Sequence, residues 1–470
     1  MKKLVVTLVC LLCVGAGAAW YFMREKDKAR DILPADATAV AVIEPAELFE
    51  ALGLSLNEVK KLVWNLEDLA EAIDLKEPVY AFASESGLTG IALNVNNADK
   101  LEKAAVSFSF ASEEDDGYLW IANSTSIGCV GDDKMLLIAP VSETEQDALR
   151  PEMMKLMKQG RRDVPLLDKA NRQRGSLRVS TSLSNLPKEY LPKGFRSSGA
   201  FLSAALAIGN KDITLSAKVE DEEGKPFSFN PDGEELLHPI NGLLPTIVPD
   251  RPFAWLCLGV KGEQLLRILR SGPQVSAALM ALNVSFFDAD LMLKAIDGDV
   301  VVMVPKANLT HPDVLITAQI SNSDFLKEAK DWDTNSLIGG MSLRKRGEAD
   351  DYVFTFRGER VYFGVRGGLL YMASSEHLAS QLLQESELDN LHSMVAGKYL
   401  SGSVDVGQLL KAYPSVALLL TAIPSLGEAV KAVDKLEVTS NKPQSIELSL
   451  KTNEPVKDVM SNFWKLMKGK

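Results

Sequence analysis

The sequence predicts an α+β protein made of two homologous repeats, each with mostly antiparallel strands and short helices. Two observations carry this prediction. The predicted strands mostly alternate apolar and polar residues, which is typical of antiparallel sheets with one solvated face. The same series of predicted elements also occurs twice, in the same order, along the 470-residue chain. We therefore expect a first repeat at 32–250 and a second at 251–470, after an N-terminal segment at 1–31.

The duplication is clearest in one alternating strand. Val-Ser-Thr-Ser-Leu at 179–183 recurs as Leu-Ser-Gly-Ser-Val at 400–404, and a short amphipathic run ending in Pro follows each copy. Five further pairs occur in the same order: 48–49 with 265–266, 99–104 with 324–329, 118–120 with 352–354, 135–139 with 369–373, and 213–218 with 446–451. The period is too long for a solenoid, and the Pro-rich stretch at 248–252 suits the junction of two domains.

Local signals predict the elements of the first repeat. Pro45 stands in the first turn of a predicted helix at 45–52, and Asn97 is the predicted N-cap of a helix at 100–105. Apolar residues at helical spacing predict a longer helix at 56–73. The remaining predicted elements are strands at 38–43, 79–83, 90–95, 106–110, 118–122, 126–130 and 135–139, and a helix at 143–158.

The second repeat is similar from Arg251 onward. Its predicted elements include strands at 253–260, 300–304 and 314–320 and a short helix at 263–269. The last predicted helix, at 456–467, matches a predicted helix at 234–244 in the first repeat. Side-by-side and face-to-face packing of the two sheets both agree with this pattern.

The N-terminus predicts export. Two lysines precede an uncharged run at 4–23, and a charged linker follows at 24–31. The run is long enough to cross a bilayer as a helix, and its aromatic residues at 20–22 suit a membrane interface. This pattern favours a membrane anchor that leaves the rest of the chain in the periplasm.

A cleaved signal peptide is the alternative, with Ala-Gly-Ala at 16–18 as the cleavage site and a soluble periplasmic product. A lipoprotein is disfavoured, because Val9 and Leu12, not small residues, precede Cys10 and Cys13. All three interpretations place the bulk of the chain in the cell envelope.

The charge balance argues against nucleic-acid binding. The chain carries 51 Lys and Arg against 63 Asp and Glu, a formal net charge of -12. An acidic surface repels phosphate backbones, and the sequence has neither a Gly-rich phosphate loop nor an aromatic-basic stripe. Its hydrophobic content of 46% is that of a globular protein.

Two cysteines lie beyond the N-terminal run. Cys129 and Cys257 both occur in apolar, strand-like segments. Two buried free thiols are therefore favoured over a disulfide that joins them. Beyond the N-terminal run the sequence has no Cys-x-x-Cys motif and no metal-ligand spacing, so we expect no cofactor and no metal.

No reactive constellation is visible. The histidines at 238, 311, 377 and 392 have no second His or Cys at ligand spacing. Ser180 and Ser182 alternate along one strand and predict a polar sheet face, not a nucleophile. Asp99 and Asp324 recur in both repeats, each in the first turn of a helix, where a carboxylate complements the helix dipole. We expect no catalytic residue.

Two charged clusters have simple structural interpretations. The acidic segment 113–116 lacks the alternate-position spacing of a Ca²⁺ loop and predicts a solvated hairpin tip. A basic run favours a solvated helix and linker over a docking site for an acidic partner or glycan; its members are Lys155, Lys158, Arg161, Arg162, Lys169, Arg172, Arg174 and Arg178. Tryptophans at 64, 120, 255 and 332 are interpreted as packing residues.

The opening after the linker resembles a family of exported Bacteroidetes envelope proteins built on a domain of unknown function. The resemblance rests on Ile-Leu-Pro-Ala-Asp-Ala-Thr at 32–38 and the strand after it, with support from 324–329 and 369–374. It covers essentially all of the chain beyond the linker. It implies an envelope location and brings no catalytic residues. The chain departs from lipidated members because it has no lipobox.

These observations predict a non-enzymatic, membrane-tethered envelope protein that binds an unidentified protein, glycan or lipid through its sheet faces or a cleft between its halves. A hydrolase is the first alternative, because catalytic residues on loops leave no local motif. A carrier with a cavity for an apolar ligand is the second.

Overall fold

The structure is a computed structural model. It describes residues 27–55, 66–186, 197–228, 235–242, 252–273, 275–277, 279–280, 288–306, 313–327, 341–347, 350–356, 358–381, 394–412 and 430–468. The chain forms two compact units. The first comprises Met1–Leu186, Ser198–Lys225 and Thr452–Lys470, and the second Pro187–Ser197 and Pro226–Lys451. The domain boundaries at 32–250 and 251–470 stay predictions.

No helix within these ranges is both long enough and apolar enough to cross a membrane. The apolar run at 4–23, predicted to be an anchor or a signal peptide, lies outside the described residues.

The first unit is organised around an antiparallel sheet. Its described strands are β1 (Ala37–Ile43), β2 (Val79–Ser84), β3 (Thr89–Asn94), β4 (Ala111–Asp115), β5 (Tyr118–Asn123), β6 (Ser126–Val130), β7 (Lys134–Ile138), β8 (Leu177–Ser182), β9 (Phe201–Ile208) and β10 (Asp212–Glu220). Hydrogen bonding places them in the order β4-β5-β6-β7-β3-β2-β1-β8-β9-β10. The first strand in sequence is therefore a central strand.

The helices of this unit lie mostly between its strands in sequence. They are α1 (Pro45–Ala51), α2 (Leu66–Ala72), α3 (Ala98–Ser107), α4 (Glu143–Lys158) and α5 (Pro165–Asn171), with 3-10 turns at Ala29–Ile32 and Leu183–Asn185. Asn97 caps α3, since its side chain accepts a hydrogen bond from Lys100 N at 2.9 Å, as predicted. Ser142 and Glu145 form a capping box at the start of α4.

One side of the sheet, which we call the closed side, carries the main core. Alternate residues of β1, Val40 and Val42, are fully buried there. They belong to one apolar cluster with Tyr80, Met153 and Leu167, contributed by β2, α4 and α5. Burying one face of each strand and helix in this way is the main driving force for the fold.

The second unit is also an antiparallel sheet. Its described strands are β11 (Leu237–His238), β12 (Ala254–Lys261), β13 (Ile296–Val304), β14 (Leu315–Ile320), β15 (Met341–Lys345), β16 (Asp351–Phe356), β17 (Glu359–Arg366), β18 (Leu369–Ala373), β19 (Leu400–Asp405), β20 (Val433–Ser440) and β21 (Ser445–Thr452). The order across the sheet is β15-β16-β17-β18-β14-β13-β12-β19-β20. Its described helices are α6 (Gly262–Ser271), α7 (Ala289–Ala295), α8 (Glu376–Gln381) and α9 (Val406–Ala412).

The strand order of the second unit matches that of the first. In both, the strand that contains the repeated motif of 179–183 and 400–404 lies directly beside the first long strand. Thr181 pairs with Ala39 in β1, and Gly402 pairs with Leu256 in β12. The described strands of the two units therefore agree in order, and they agree in register at this position.

One predicted strand is wrong. The sequence predicts a strand at 106–110, but α3 continues through Ser107 and the next strand begins at Ala111. Val106 and Phe108 suggested alternation, yet their side chains are 56% and 41% exposed. The inner face of the helix is set by Leu101 and Ala105 instead, which are buried.

The helix predicted at 234–244 is also wrong within its described residues, 235–242. Leu237–His238 pairs as a short strand with Val260 and Gly259. Ile240 N donates to Lys398 O at 2.7 Å. These bonds to β12 and to Lys398 satisfy the backbone in an extended form, so the segment gains nothing by forming a helix.

The last helix, α10 (Val456–Lys468), confirms the prediction at 456–467. It belongs to the first unit, where it packs against α1. Its approach is close at Gly53, whose φ is +69°, and Ser461 Oγ donates to Gly53 O at 3.4 Å. A Cβ atom on Gly53 would lie only 2.4 Å from Ser461 Oγ and 2.6 Å from Lys457 O.

We predict that Gly53→Ala loosens α10. The variant incurs left-handed backbone strain of about 1 kcal/mol and an overpacking cost of about 1–3 kcal/mol against the helix. Gly199→Ala is the matched control, because Gly199 has a φ of +74° and no atom lies within 4 Å of the position that its Cβ would take. Amide hydrogen exchange in 456–468 should be faster than wild type in Gly53→Ala only. Unchanged exchange in both variants would contradict this role of Gly53.

Candidate functional site

The first sheet has a second side, which we call the open side, where β1, β8, β9 and β10 present apolar residues. Cross-strand pairing fixes its rows. One row runs Ala81, Ala41, Val179, Ala204, Ala217, and the next runs Ala83, Ala39, Thr181, Leu202, Val219. Leu206 pairs with Leu215 in a third row. The small residues in the middle row make this part of the surface flat.

The open side is partly exposed. The side chains of both complete rows are half-buried, and Leu215 on β10 is 45% exposed. The described helices of this unit pack elsewhere: α4 and α5 on the closed side, α3 over β4 and β5, and α1 against α10. An apolar sheet face left half-exposed in this way is a candidate binding surface.

The charge of the open side separates it from the rest of the surface. None of the residues in its rows carries a charge, although the chain has a net charge of -12. Lys218 and Glu220 of β10 point to the opposite side, where they form an ion pair. Removing apolar surface from water is favourable, so such a surface suits an apolar partner better than a charged one.

The second unit presents apolar residues at the corresponding strands. Val302, Leu256, Gly402 and Val438 form one cross-strand row. In the neighbouring row, Leu436 is 40% exposed. The feature therefore occurs in both units, at the same strands of the same strand order.

Sequence reasoning missed this surface. The strand Phe201–Ile208 was not predicted, and it supplies the centre of the open side. Its sequence, Phe-Leu-Ser-Ala-Ala-Leu-Ala-Ile, hardly alternates. Periodicity alone does not distinguish a strand that is apolar on both faces from a doubly buried strand or a helix. Only its hydrogen-bonded neighbours show that one of these faces is open.

The predicted polar serine face is only partly present. Ser180 lies on the closed side, fully buried, with its Oγ 3.2 Å from Ser203 Oγ. Ser182 is nearer solvent and its Oγ lies 2.7 Å from Ser184 Oγ. Both hydroxyl groups are paired with other hydroxyl groups, as expected of structural serines.

The acidic segment 113–116 ends β4 and enters the hairpin turn to β5, and all four residues are exposed, which confirms the predicted solvated hairpin tip. Glu113 forms an ion pair with Arg150 of α4, and Asp116 is 2.9 Å from Lys158 Nζ on the same helix. Arg150 also lies over the Trp120 ring, 4.9 Å from its centroid. These acidic residues therefore help to fix α4 on the sheet.

The predicted solvated basic run is wrong at two positions. Lys169 is buried, and its Nζ donates to Asp221 O at 2.8 Å and Glu222 O at 3.2 Å. Burial lowers the pKa of Lys169. Arg178 is 2% exposed on the closed side of β8. A long basic side chain can bury its stem and still bind carbonyl oxygens, which composition alone does not reveal.

Arg178 binds backbone oxygens at the end of α5 and in the connection to β8. Its Nη1 donates to Asn171 O at 3.3 Å and Gln173 O at 2.9 Å. Burial lowers the pKa of Arg178 to about 10, while Glu44 and Glu47 favour its charged form. The side chain thus stabilises the end of α5, a structural role.

The remaining candidates show no sign of a reactive centre in the described part of the chain. His238 Nδ1 lies 2.9 Å from Pro239 O, and His377 is exposed in α8. His311 and His392 lie outside the described residues, as do Trp64 and Trp332. Among the residues that the structure describes, no group of three or more His, Cys, Asp or Glu could hold a metal ion.

The two cysteines are free and buried, which confirms their predicted state. Burial raises the pKa of both thiols to about 12. The nucleophilic thiolate is therefore scarce at neutral pH, as in other cysteines buried in apolar surroundings.

Comparison with known proteins identifies a family. The model of DUF4836, a domain of unknown function, matches residues 66–391. No curated protein matches the sequence.

Solved structures give only weak likenesses. One crystal form of TP0453 matches with 11% identity and a TM-score of 0.29, covering 43% of this chain and 82% of TP0453. A second crystal form gives 13% identity and a TM-score of 0.28, covering 42% and 80%. The DNA polymerase III subunit beta from Pseudomonas aeruginosa gives 11% identity and a TM-score of 0.11 over 88% of this chain and 100% of the subunit. Scores this low carry no argument about fold or function.

We predict that Arg178→Met destabilises the first unit by about 3 kcal/mol, because two half-buried carbonyl groups lose their donor. Arg174→Met is the control from the same basic run. Arg174 is exposed, so its loss should change the free energy of unfolding by no more than about 0.5 kcal/mol. Denaturant unfolding of both variants checks the difference, and equal stabilities would contradict the structural role of Arg178.

We also predict that Cys129 and Cys257 resist thiol reagents in the native state. With a pKa of about 12, roughly one thousandth of each thiol is ionised at pH 9. Labelling of the folded protein with a disulfide reagent should be slow for both and should become rapid in denaturant. Rapid labelling of either residue without denaturant would show that it is accessible and reactive.

Proposed function

The chain belongs to the DUF4836 family, a domain of unknown function, and we propose that it is a non-catalytic binding or scaffold module of the cell envelope. In this proposal the protein is exported and remains tethered to the membrane through residues 4–23, facing the periplasm. It binds an apolar partner on the open side of its first sheet.

The open side carries the proposal. Its cross-strand rows, from Ala81 to Ala217 and from Ala83 to Val219, are uncharged and half-buried on a protein with a net charge of -12. A flat face of this kind suits a second folded surface better than a small polar substrate, which needs a concave site with converging polar groups. Binding through it requires no reacting side chain.

We further propose that the two units are copies of one ancestral domain. The support is the shared strand order and the common position of the repeated motif at 179–183 and 400–404. The apolar rows in both units fit this idea, since a binding face would be copied with the fold. On this account the second unit offers a related face to the same partner or to another.

Capture of partners from detergent-solubilised native envelope tests the proposal. The intact protein is compared with Ala204→Glu and Leu215→Glu, which place a charge on the open side. Val106→Glu is the matched control, because Val106 is an exposed apolar residue on α3, which packs over β4 and β5 and not over β1, β8, β9 and β10. Circular dichroism confirms that all four proteins are folded before use.

We expect one set of envelope proteins to bind the wild-type protein and Val106→Glu, and to be lost from both open-side variants. Proteins captured equally by all four would contradict the proposed surface. Bound lipid that depends on the open side, with no protein, would favour the apolar-ligand carrier instead.

A further inference from the structure

Residues that lie a short distance after the predicted membrane segment are part of the core of the first unit. Ala29–Ile32 forms a 3-10 turn that packs against β2, β3, β7 and α4. Ala29, Ile32 and Leu33 have no exposed surface. The sequence at 24–31 predicts a charged linker, but its described part is not a flexible spacer.

Asp27 is the polar centre of this segment. Its carboxylate is only 7% exposed and accepts hydrogen bonds from Tyr80 OH, from Asn94 Nδ2 at 3.1 Å and from Arg30 N at 3.4 Å. Asn94 in turn accepts from Lys28 N at 2.9 Å and Ala29 N at 3.0 Å. Burial raises the pKa of Asp27 although these donors oppose the shift.

Two longer-range contacts hold the same segment. The Arg30 guanidinium, 8% exposed, lies 3.7 Å from the Asp168 carboxylate of α5. Gln159 Nε2, just after α4, donates to Leu33 O at 3.1 Å. Segment 27–33, which we call the N-terminal lock, is therefore tied to three parts of the unit by buried polar groups, which are costly to leave unpaired.

The lock limits how far the first unit can move from a membrane segment at 4–23. Only residues 24–26 lie between that segment and Asp27. Three residues span at most about 10 Å even when fully extended. A flexible linker of tens of residues would let the unit move freely, but a span this short does not.

The turn at 74–78 lies beside the buried carboxylate of Asp27. Asp74 N donates to Asn94 O at 3.0 Å, and Asn94 Nδ2 donates to Pro78 O at 3.5 Å. The turn at 74–78 is thus adjacent to the lock. Lys76 is exposed at the tip of this turn.

We propose that the N-terminal lock holds the first unit against the bilayer, with the turn at 74–78 facing the lipid headgroups. This inference rests on the proposed retention of residues 4–23 as a membrane anchor. It places the open side at β8, β9 and β10 away from this turn. β10 lies five strand spacings from β3, about 24 Å away across the sheet.

Cysteine accessibility in native membranes tests the proposal with the full chain. Lys76→Cys places a thiol beside the lock, and Glu223→Cys places one in the exposed turn after β10. A membrane-impermeant maleimide is added to membranes whose periplasmic face is accessible. The native protein measures background labelling, which should be low because Cys129 and Cys257 are buried and Cys10 and Cys13 belong to the proposed membrane anchor.

We expect Lys76→Cys to be labelled much more slowly than Glu223→Cys. Inserting a flexible Gly-Ser segment between Lys26 and Asp27 should remove this difference, because it lengthens the tether without changing the lock. Asn94→Ala should remove it as well, by freeing the backbone of residues 28 and 29.

The possible failures are distinguishable. A carbonate wash of the same membranes reports whether the chain is retained. Equal labelling at both sites in retained protein would overturn the proposed orientation while the anchor stands. Release by carbonate, with a mature N-terminus near Ala19 or Trp20, would overturn the anchor and the orientation together.

Discussion

The fold of the first unit depends on the central position of β1. β1 is the first strand in sequence. Its neighbours in the sheet are β2 on one side and β8 on the other, and β8 is more than a hundred residues away in sequence. Val40 and Val42 can be fully buried only when both neighbours are in place. The helices α4 and α5, which connect β7 to β8, then pack over the closed side.

The same constraint creates the open side. Both faces of a sheet are covered only when helical connections run over both of them. Here α4 and α5, the helices between β7 and β8, lie on the closed side. α2 and α3 cover the other face only over the strands from β3 to β7. The face at β1, β8, β9 and β10 keeps apolar side chains without a helix from the described part of this unit. Binding is the use of such a face that requires the fewest further assumptions.

Several polar groups of the first unit serve structure. Glu113 and Asp116 hold α4, Arg178 completes the end of α5, and Asp27 fixes the first described residues of the chain. Each looked like a possible binding or linker residue in sequence. Their partners lie far away along the chain, so only the fold reveals that their charges are already compensated.

Local signals predicted much of the fold. Alternation predicted β1, β2 and β5, and the cap at Asn97 predicted α3. The prediction failed where tertiary contacts decide the outcome. Val106 and Phe108 gave the pattern of a strand, although both are exposed. Residues 235–242 form hydrogen bonds to β12 and to Lys398 in place of helical hydrogen bonds. The candidate surface was invisible for the same reason, because β9 is apolar on both faces and its open face is defined by its neighbours.

The most direct test of the account is carbene footprinting of the open side in the native envelope and in the purified protein. We predict that Leu206, Leu215 and Val219 are modified in the purified protein and protected in the envelope, while exposed Val106 and Phe108 are modified equally in both. Equal modification of the open side in the two preparations would contradict the claim that this face is where the protein binds its partner.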